Sequence, residues 1–149
     1  MKQSIITATG SYLPEKILTN HDLSTMVDTN DEWIRERTGI IQRHIVAEGE
    51  LTSHMAAHAS RAALAAAGYD ASSVDGVVVA TSTPDSTMPS VAAKLQAALG
   101  IAHGPALDVA AACAGFVYAL SVAHGWIQAG IATRVLVIGA ESMSRIVDW

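Results

Sequence analysis

Three short apolar runs, "VDGVVVA" at 74–80, "PALDVAA" at 105–111 and "RVLVIGAE" at 134–141, constrain this chain more than any other feature. A helix-sized segment separates each run from the next. The first, 90–99, opens at "PS" and closes at Gly100; the second, 114–129, stops before Gly130. Strands that alternate with helices need crossover connections, so they pair in parallel and bury both faces of their sheet. The continuous apolar character after Gly76 fits that double cover. The expectation is an α/β domain with a mixed, mostly parallel sheet and covering helices.

The rest of the chain adds smaller elements. "QSIITAT" at 3–9 reads as a first strand, with Gly10 and Pro14 marking its exit. Thr19 with Asp22, and Thr29 with Glu32 before "WIRERTG", have the spacing of capping boxes, and Gly39 suits a helix C-terminus. "GIIQRHIV" suggests a partly exposed β segment with Ile41, Arg43 and Ile45 on one face. Residues 52–67 predict a helix packed through Met55, Ala59, Ala62, Ala63 and Ala66 and ended by Gly68. Helix 114–129 has so few polar positions that it expects cover on both sides, and "ESMSRIVDW" offers no capping segment. The chain therefore reads as half of something larger.

Composition excludes several classes. With 149 residues, half of them hydrophobic, the chain can bury one sizeable core. A formal charge of -5 without a basic cluster argues against nucleic acid. One cysteine forms no intrachain disulfide, and "MKQSIITATGSYLP" lacks a secretory pattern, which points to a cytoplasmic setting. Gly, Asp or Arg interrupts every apolar run well short of the roughly 20 residues that span a bilayer, so no membrane span is expected.

Cys113 lies in "LDVAAACAGFVYAL", where a strand turns into a helix. A thiol at a helix N-terminus has its pKa lowered, and the free amides there can stabilise an oxyanion, which favours acyl transfer. Ala112, Ala114 and Gly115 leave room for an acyl group to approach an otherwise buried sulfur. An inert core cysteine explains the position equally well. No histidine can be placed beside the sulfur: His124 is farther along the same helix, and His103 precedes the incoming strand. His54 and His58 are four apart but lack a third ligand, so no metal is assigned.

In order along the chain, "SYLPEKILTN", "VDTNDEWIRERTGI", "VVVATSTPDSTMPS", "DVAAACAGFVYAL" and "VLVIGAESMSRIVDW" resemble the N-terminal half of a beta-ketoacyl-acyl carrier protein synthase III, a thiolase-like condensing enzyme. The resemblance implies a thiolase-like half-domain over 1–149, truncated, with its C-terminal half absent and its nucleophile helix buried. It implies that Cys113 takes an acyl group, acetyl first, from acyl-CoA. Malonyl-acyl carrier protein then condenses with it, initiating fatty acid synthesis. Acyl-CoA is a substrate and no cofactor is bound permanently; the partners are acyl carrier protein and a second subunit. By the same resemblance, Trp33 stacks on the CoA adenine, Arg37 meets a phosphate, and Met88 lines the acyl pocket of the other subunit. Without the resemblance, Trp33 and Arg37 read as a surface aromatic over an arginine stem. The family's catalytic histidine and asparagine belong to the other half, so the isolated chain is expected to be inactive. The alternatives are a related thiolase-fold acyltransferase of secondary metabolism, a non-enzymatic α/β binding domain, and a cysteine hydrolase with a histidine delivered to Cys113.

Overall fold

A computed structural model describes residues 3–148, which fall into two compact units: 3–12 with 51–141, and 13–50 with 142–148. In the larger unit, β3 (Gly76–Ala80) lies between β4 (Ala106–Val109) and β5 (Val135–Gly139), both parallel to it. Val78 is level with Leu107 on one side and Val137 on the other. All of β3 is buried, as the sequence expectation for this run requires. Val77 and Val79 pack with α3 (Thr52–Ala67) and α4 (Val91–Leu99) through Ala56, Leu64, Val91 and Leu95. Val78 and Ala80 face α5 (Gly115–Ala129), where Ala119, Val122 and Trp126 meet them. Two helices on one face and one on the other form the doubly covered parallel sheet that the strand-helix alternation demands.

Two expectations for this unit need correction. Among the described residues, 3–9 form no strand and pair with none, so this β-prone run makes no ladder. Gly10 then presses against α3, where a Cβ would lie 2.2 Å from the Ala63 nitrogen, and Tyr12 stacks on His58 with ring centroids 4.7 Å apart. The packed stripe of α3 also differs. Met55 is buried as expected, Ala62 and Ala66 are exposed, and Thr52, Ser53, Ala56, Ala57, Ser60 and Leu64 are buried. Alanine is too small to orient a helix by hydrophobicity alone. Leu64 sets the face, and at the other end the Thr52 hydroxyl donates to the Thr83 carbonyl at 2.6 Å.

The smaller unit holds an antiparallel pair, β1 (Lys16–Thr19) and β2 (Gln42–Ile45), with Lys16 opposite Ile45. The Thr19–Asp22 capping box forms at the start of α1 (Asn20–Ser24), and hydrogen bonding from Thr19 holds the Asp22 carboxyl below its ordinary pKa. The cap of α2 (Asp31–Thr38) is Asn30 instead of Thr29: its side chain accepts the Trp33 amide at 2.8 Å. Asn and Thr both serve in this role, and spacing alone does not separate neighbours. Asn20 organises the unit from a buried position. Its amide donates to Asp31 and to the Ile40 carbonyl, each at 2.8 Å, and its oxygen accepts from Arg43 at 2.9 Å.

Candidate active site

The carboxyl ends of β3, β4 and β5 carry the chemistry-bearing loops, the edge of a parallel sheet where ligands usually bind. Carboxylates tie these loops down. Glu141, just after β5, accepts the Ser82 amide at 2.7 Å and the Thr83 hydroxyl at 2.6 Å. Asp85, whose side chain is 1% exposed, accepts the Ser53 amide at 3.1 Å and lies 3.4 Å from the Lys94 ammonium. Burial pushes the Asp85 pKa up, but the Ser53 bonds and Lys94 outweigh it, so the carboxyl sits below its usual range. Asp108 in β4 accepts the Val91 and Ala92 amides, both at 2.8 Å, joining the strand to the start of α4. The sequence reading singled out none of these acids. The available signal was a lone carboxylate in or beside an apolar strand.

Leaving β4 at Val109, earlier than the expected 111, the chain makes a sharp elbow. Ala112 has φ 43°, a left-handed conformation that costs a residue with a Cβ about 1–2 kcal/mol. A 3-10 turn, Ala112–Ala114, runs directly into α5, with the Ala114 amide bonded to the Ala111 carbonyl at 3.0 Å. Gly115 permits a close approach: a Cβ there would lie 3.2 Å from the Ala80 Cβ. The helix start is thereby pressed onto the end of β3. Cys113, in this turn, is exposed, so neither an inert core thiol nor an otherwise buried sulfur describes it.

The first turn of α5 has no side-chain cap, whereas Thr19, Asn30 and Ser90 cap α1, α2 and α4. The Gly115 amide is bonded to the Ala112 carbonyl in the preceding turn, and the positive end of the helix dipole favours an anion at this end. α5 buries Gly115, Ala119 and Ala123 and leaves Phe116, Val117 and Tyr118 exposed. The cover expected along its whole length is therefore one-sided in this chain.

Four of the histidines have other partners. The His124 Nδ1 lies 2.9 Å from the Ser4 hydroxyl, His54 accepts the Leu51 amide at 3.3 Å, and His44 bonds the Pro14 carbonyl. With His58 stacked on Tyr12, the His54 and His58 rings serve separate contacts. Among the described residues, no group of three or more His, Cys, Asp or Glu is arranged to hold a metal ion, and no helix is long and apolar enough to cross a membrane.

The remaining sequence candidates fall in both units. Trp33 and Arg37 lie together on α2 in the smaller unit. The guanidinium carbon is 4.6 Å from the indole centroid, and Trp33 is 49% exposed. Arg37 thus covers one face of the indole. Met88 belongs to the larger unit and is 82% exposed, in the loop anchored by Asp85 and by the Lys94–Ser86 hydrogen bond of 2.8 Å. Cys113 is in the larger unit as well.

Known proteins share this arrangement. The family model for 3-oxoacyl-acyl-carrier-protein (ACP) synthase III matches residues 107–149, which include the elbow and α5. A beta-ketoacyl-acyl-carrier-protein synthase III from Rhodospirillum centenum is 58% identical over 147 residues, covering 99% of this chain and 46% of that protein. The crystal structure of the 3-oxoacyl-acyl-carrier-protein synthase III of Aquifex aeolicus superposes with a TM-score of 0.92 at 47% identity, over 97% of this chain and 46% of that one. The priming beta-ketosynthase of the R1128 polyketide pathway superposes at 0.91 with 37% identity, over 96% and 43%. The chain spans about half the length of the relatives it matches. In sequence and in its thiolase-like α/β fold, it belongs to the beta-ketoacyl-acyl-carrier-protein synthase III family.

Proposed function

We propose that the complete protein condenses a short acyl-CoA, acetyl-CoA first, with malonyl-acyl carrier protein to begin fatty acid synthesis. The observation that carries this reading is the exposed Cys113 at a strained elbow beneath an uncapped helix N-terminus. The Cys113 sulfur attacks the thioester carbonyl, and the resulting oxyanion is stabilised by amide donors before CoA leaves as its thiol. Malonyl-acyl carrier protein then loses carbon dioxide, and its carbanion attacks the Cys113 thioester. The new carbon-carbon bond releases the cysteine and yields a 3-oxoacyl-acyl carrier protein. Trp33 offers the adenine its open face, Arg37 turns from the indole toward a CoA phosphate, and Met88 reaches the acyl pocket of a second subunit in a cytoplasmic homodimer. The histidine and asparagine assigned by the resemblance lie outside this chain, so residues 1–149 alone are proposed to be inactive.

A second reading is favoured by the likeness to the R1128 priming ketosynthase: the same chemistry with a primer of secondary metabolism. Product formation from malonyl-acyl carrier protein, measured across acetyl, branched and longer acyl-CoA primers, separates the two. A clear preference for acetyl supports the first reading, and a preference for longer primers supports the second. No 3-oxoacyl product with any primer rejects both.

A further inference from the structure

Between β3 and α4 the chain runs from Thr81 to Ser90 as an arch that carries Met88. Among the described residues, 85–88 make no backbone-to-backbone hydrogen bond, and Met88, exposed over most of its surface, has little packing to hold it. Side-chain bonds from the neighbouring elements therefore set the path of this arch. Its near limb is fixed by Glu141, which holds Ser82 and Thr83, and by Asp85, which accepts the Ser53 amide in the first turn of α3. Leucine at the N-cap of α3 has no polar side-chain atom to offer, so Asp85 supplies the anion that this helix start lacks. The far limb is fixed by Ser90, whose hydroxyl accepts the Ala93 amide at the start of α4.

Lys94 joins the two limbs. From α4 its ammonium lies 3.4 Å from the Asp85 carboxylate and donates to the Ser86 hydroxyl at 2.8 Å. That hydroxyl in turn donates to the Pro89 carbonyl at 3.4 Å, which closes the arch on either side of Thr87 and Met88. Two of the three ammonium donors thus serve the segment that presents Met88. The Lys94 side chain is 28% exposed and that of Asp85 is 1% exposed, so water and salt screen this pair less than a surface one.

We propose that Lys94 is a positioning residue for primer choice. It touches no reacting atom; it fixes where the Met88 side chain stands, and so how long an acyl group the pocket accepts. This rests on the reading that Met88 lines an acyl pocket. Removing the ammonium opens the Ser86–Pro89 arch and gives the flexible Met88 several positions in place of one, so a pocket shaped for a short group admits a longer one. An ion pair that serves folding alone predicts another result: turnover with every primer falls in step with the fraction of folded protein.

The test compares kcat/KM for acetyl-CoA and hexanoyl-CoA in the complete protein, in its Lys94→Met, Ser86→Ala and Met88→Ala variants, and in the double variant Lys94→Met with Met88→Ala. Lys94→Met keeps the apolar stem and the helix preference of the position and removes the charge. It raises the hexanoyl-to-acetyl ratio about tenfold, the scale of one methylene in an apolar pocket. Ser86→Ala leaves the Asp85–Lys94 pair in place, moves the ratio the same way, and decides the matter if Lys94→Met does not fold. In the Met88→Ala background Lys94→Met has no further effect on the ratio, because it acts through the side chain already removed. The proposal is overturned if Met88→Ala changes the ratio and neither Lys94→Met nor Ser86→Ala does. It is also overturned if Lys94→Met shifts the ratio equally with and without Met88. A ratio that Met88→Ala leaves untouched removes the acyl-pocket reading of Met88 and this proposal with it.

Discussion

Replacing Asp108 with alanine removes the one carboxylate that accepts both the Val91 and Ala92 amides, each at 2.8 Å, and so cuts β4 from the start of α4. A hydrogen bond to a charged group contributes about 1.5–3 kcal/mol, and an anion at a helix N-terminus adds about 0.3–1 kcal/mol. Ser90 still caps the Ala93 amide at 3.1 Å and keeps the helix start in place, so the lower end of the sum applies. The expected loss is about 3 kcal/mol for Asp108→Ala, equivalent to a midpoint roughly 6–12 °C lower for a domain of this size. Asp108→Asn keeps one acceptor oxygen and faces its NH2 toward the second amide, for a loss of about 2 kcal/mol. Urea unfolding followed by tryptophan fluorescence measures both. One fixed protein concentration is used, because self-association moves the midpoint by mass action. An Asp108→Asn variant within about 0.5 kcal/mol of the parent, with an unchanged slope, would refute the idea that this carboxylate holds the strand leading to Cys113.

Trp33→Ala and Arg37→Ala in the complete protein should raise the acyl-CoA concentration needed for acylation and leave single-turnover condensation of preacylated enzyme unchanged; the loss of the charged Arg37 contact is worth about 2 kcal/mol. Equal losses in both assays remove the CoA role. Folding favours ionised Asp85, whose pKa is lowered, so its contribution is complete above the ordinary carboxylate pKa of about 3.9 and is lost as pH falls through the lower folded value. Acid titrations of stability should therefore fall more steeply below pH about 4 for the parent than for Asp85→Asn, and parallel curves contradict this. The 149-residue chain alone should release no carbon dioxide from malonyl-acyl carrier protein and should associate in light scattering through exposed groups such as Phe116, Val117 and Tyr118. A monomer with normal turnover contradicts both expectations.

The parallel sheet was legible because its signal is long-range and redundant: three apolar runs, each bounded by helix caps that the structure retains at Ser90, Gly100 and Gly130. Cys113 was legible as a junction residue, yet neither its exposure nor the left-handed Ala112 before it leaves a mark in composition. The run at 3–9 misled because β propensity reports a fitness for pairing and not the presence of a partner. Alanine-rich α3 concealed its packed face because the four candidate alanines carry nearly the same hydrophobic weight as their neighbours. Glu141, Asp85, Asp108 and Asn20 were missed because a polar residue looks alike in sequence whether it meets water or a buried amide. Only the fold distinguishes the two.

The central claim is that Cys113 is the acyl acceptor. The most direct measurement is intact mass and peptide mapping of the complete protein after exposure to acetyl-CoA, beside Cys113→Ala and Cys113→Ser. The expected result is one acetyl group on the peptide containing Cys113, discharged when malonyl-acyl carrier protein is added. Neither variant should take up the acyl group at comparable speed, because alanine offers no nucleophile and the serine hydroxyl is a far weaker one at neutral pH. A full acetyl adduct that persists in Cys113→Ala, or one mapped to another residue in the parent, contradicts the claim.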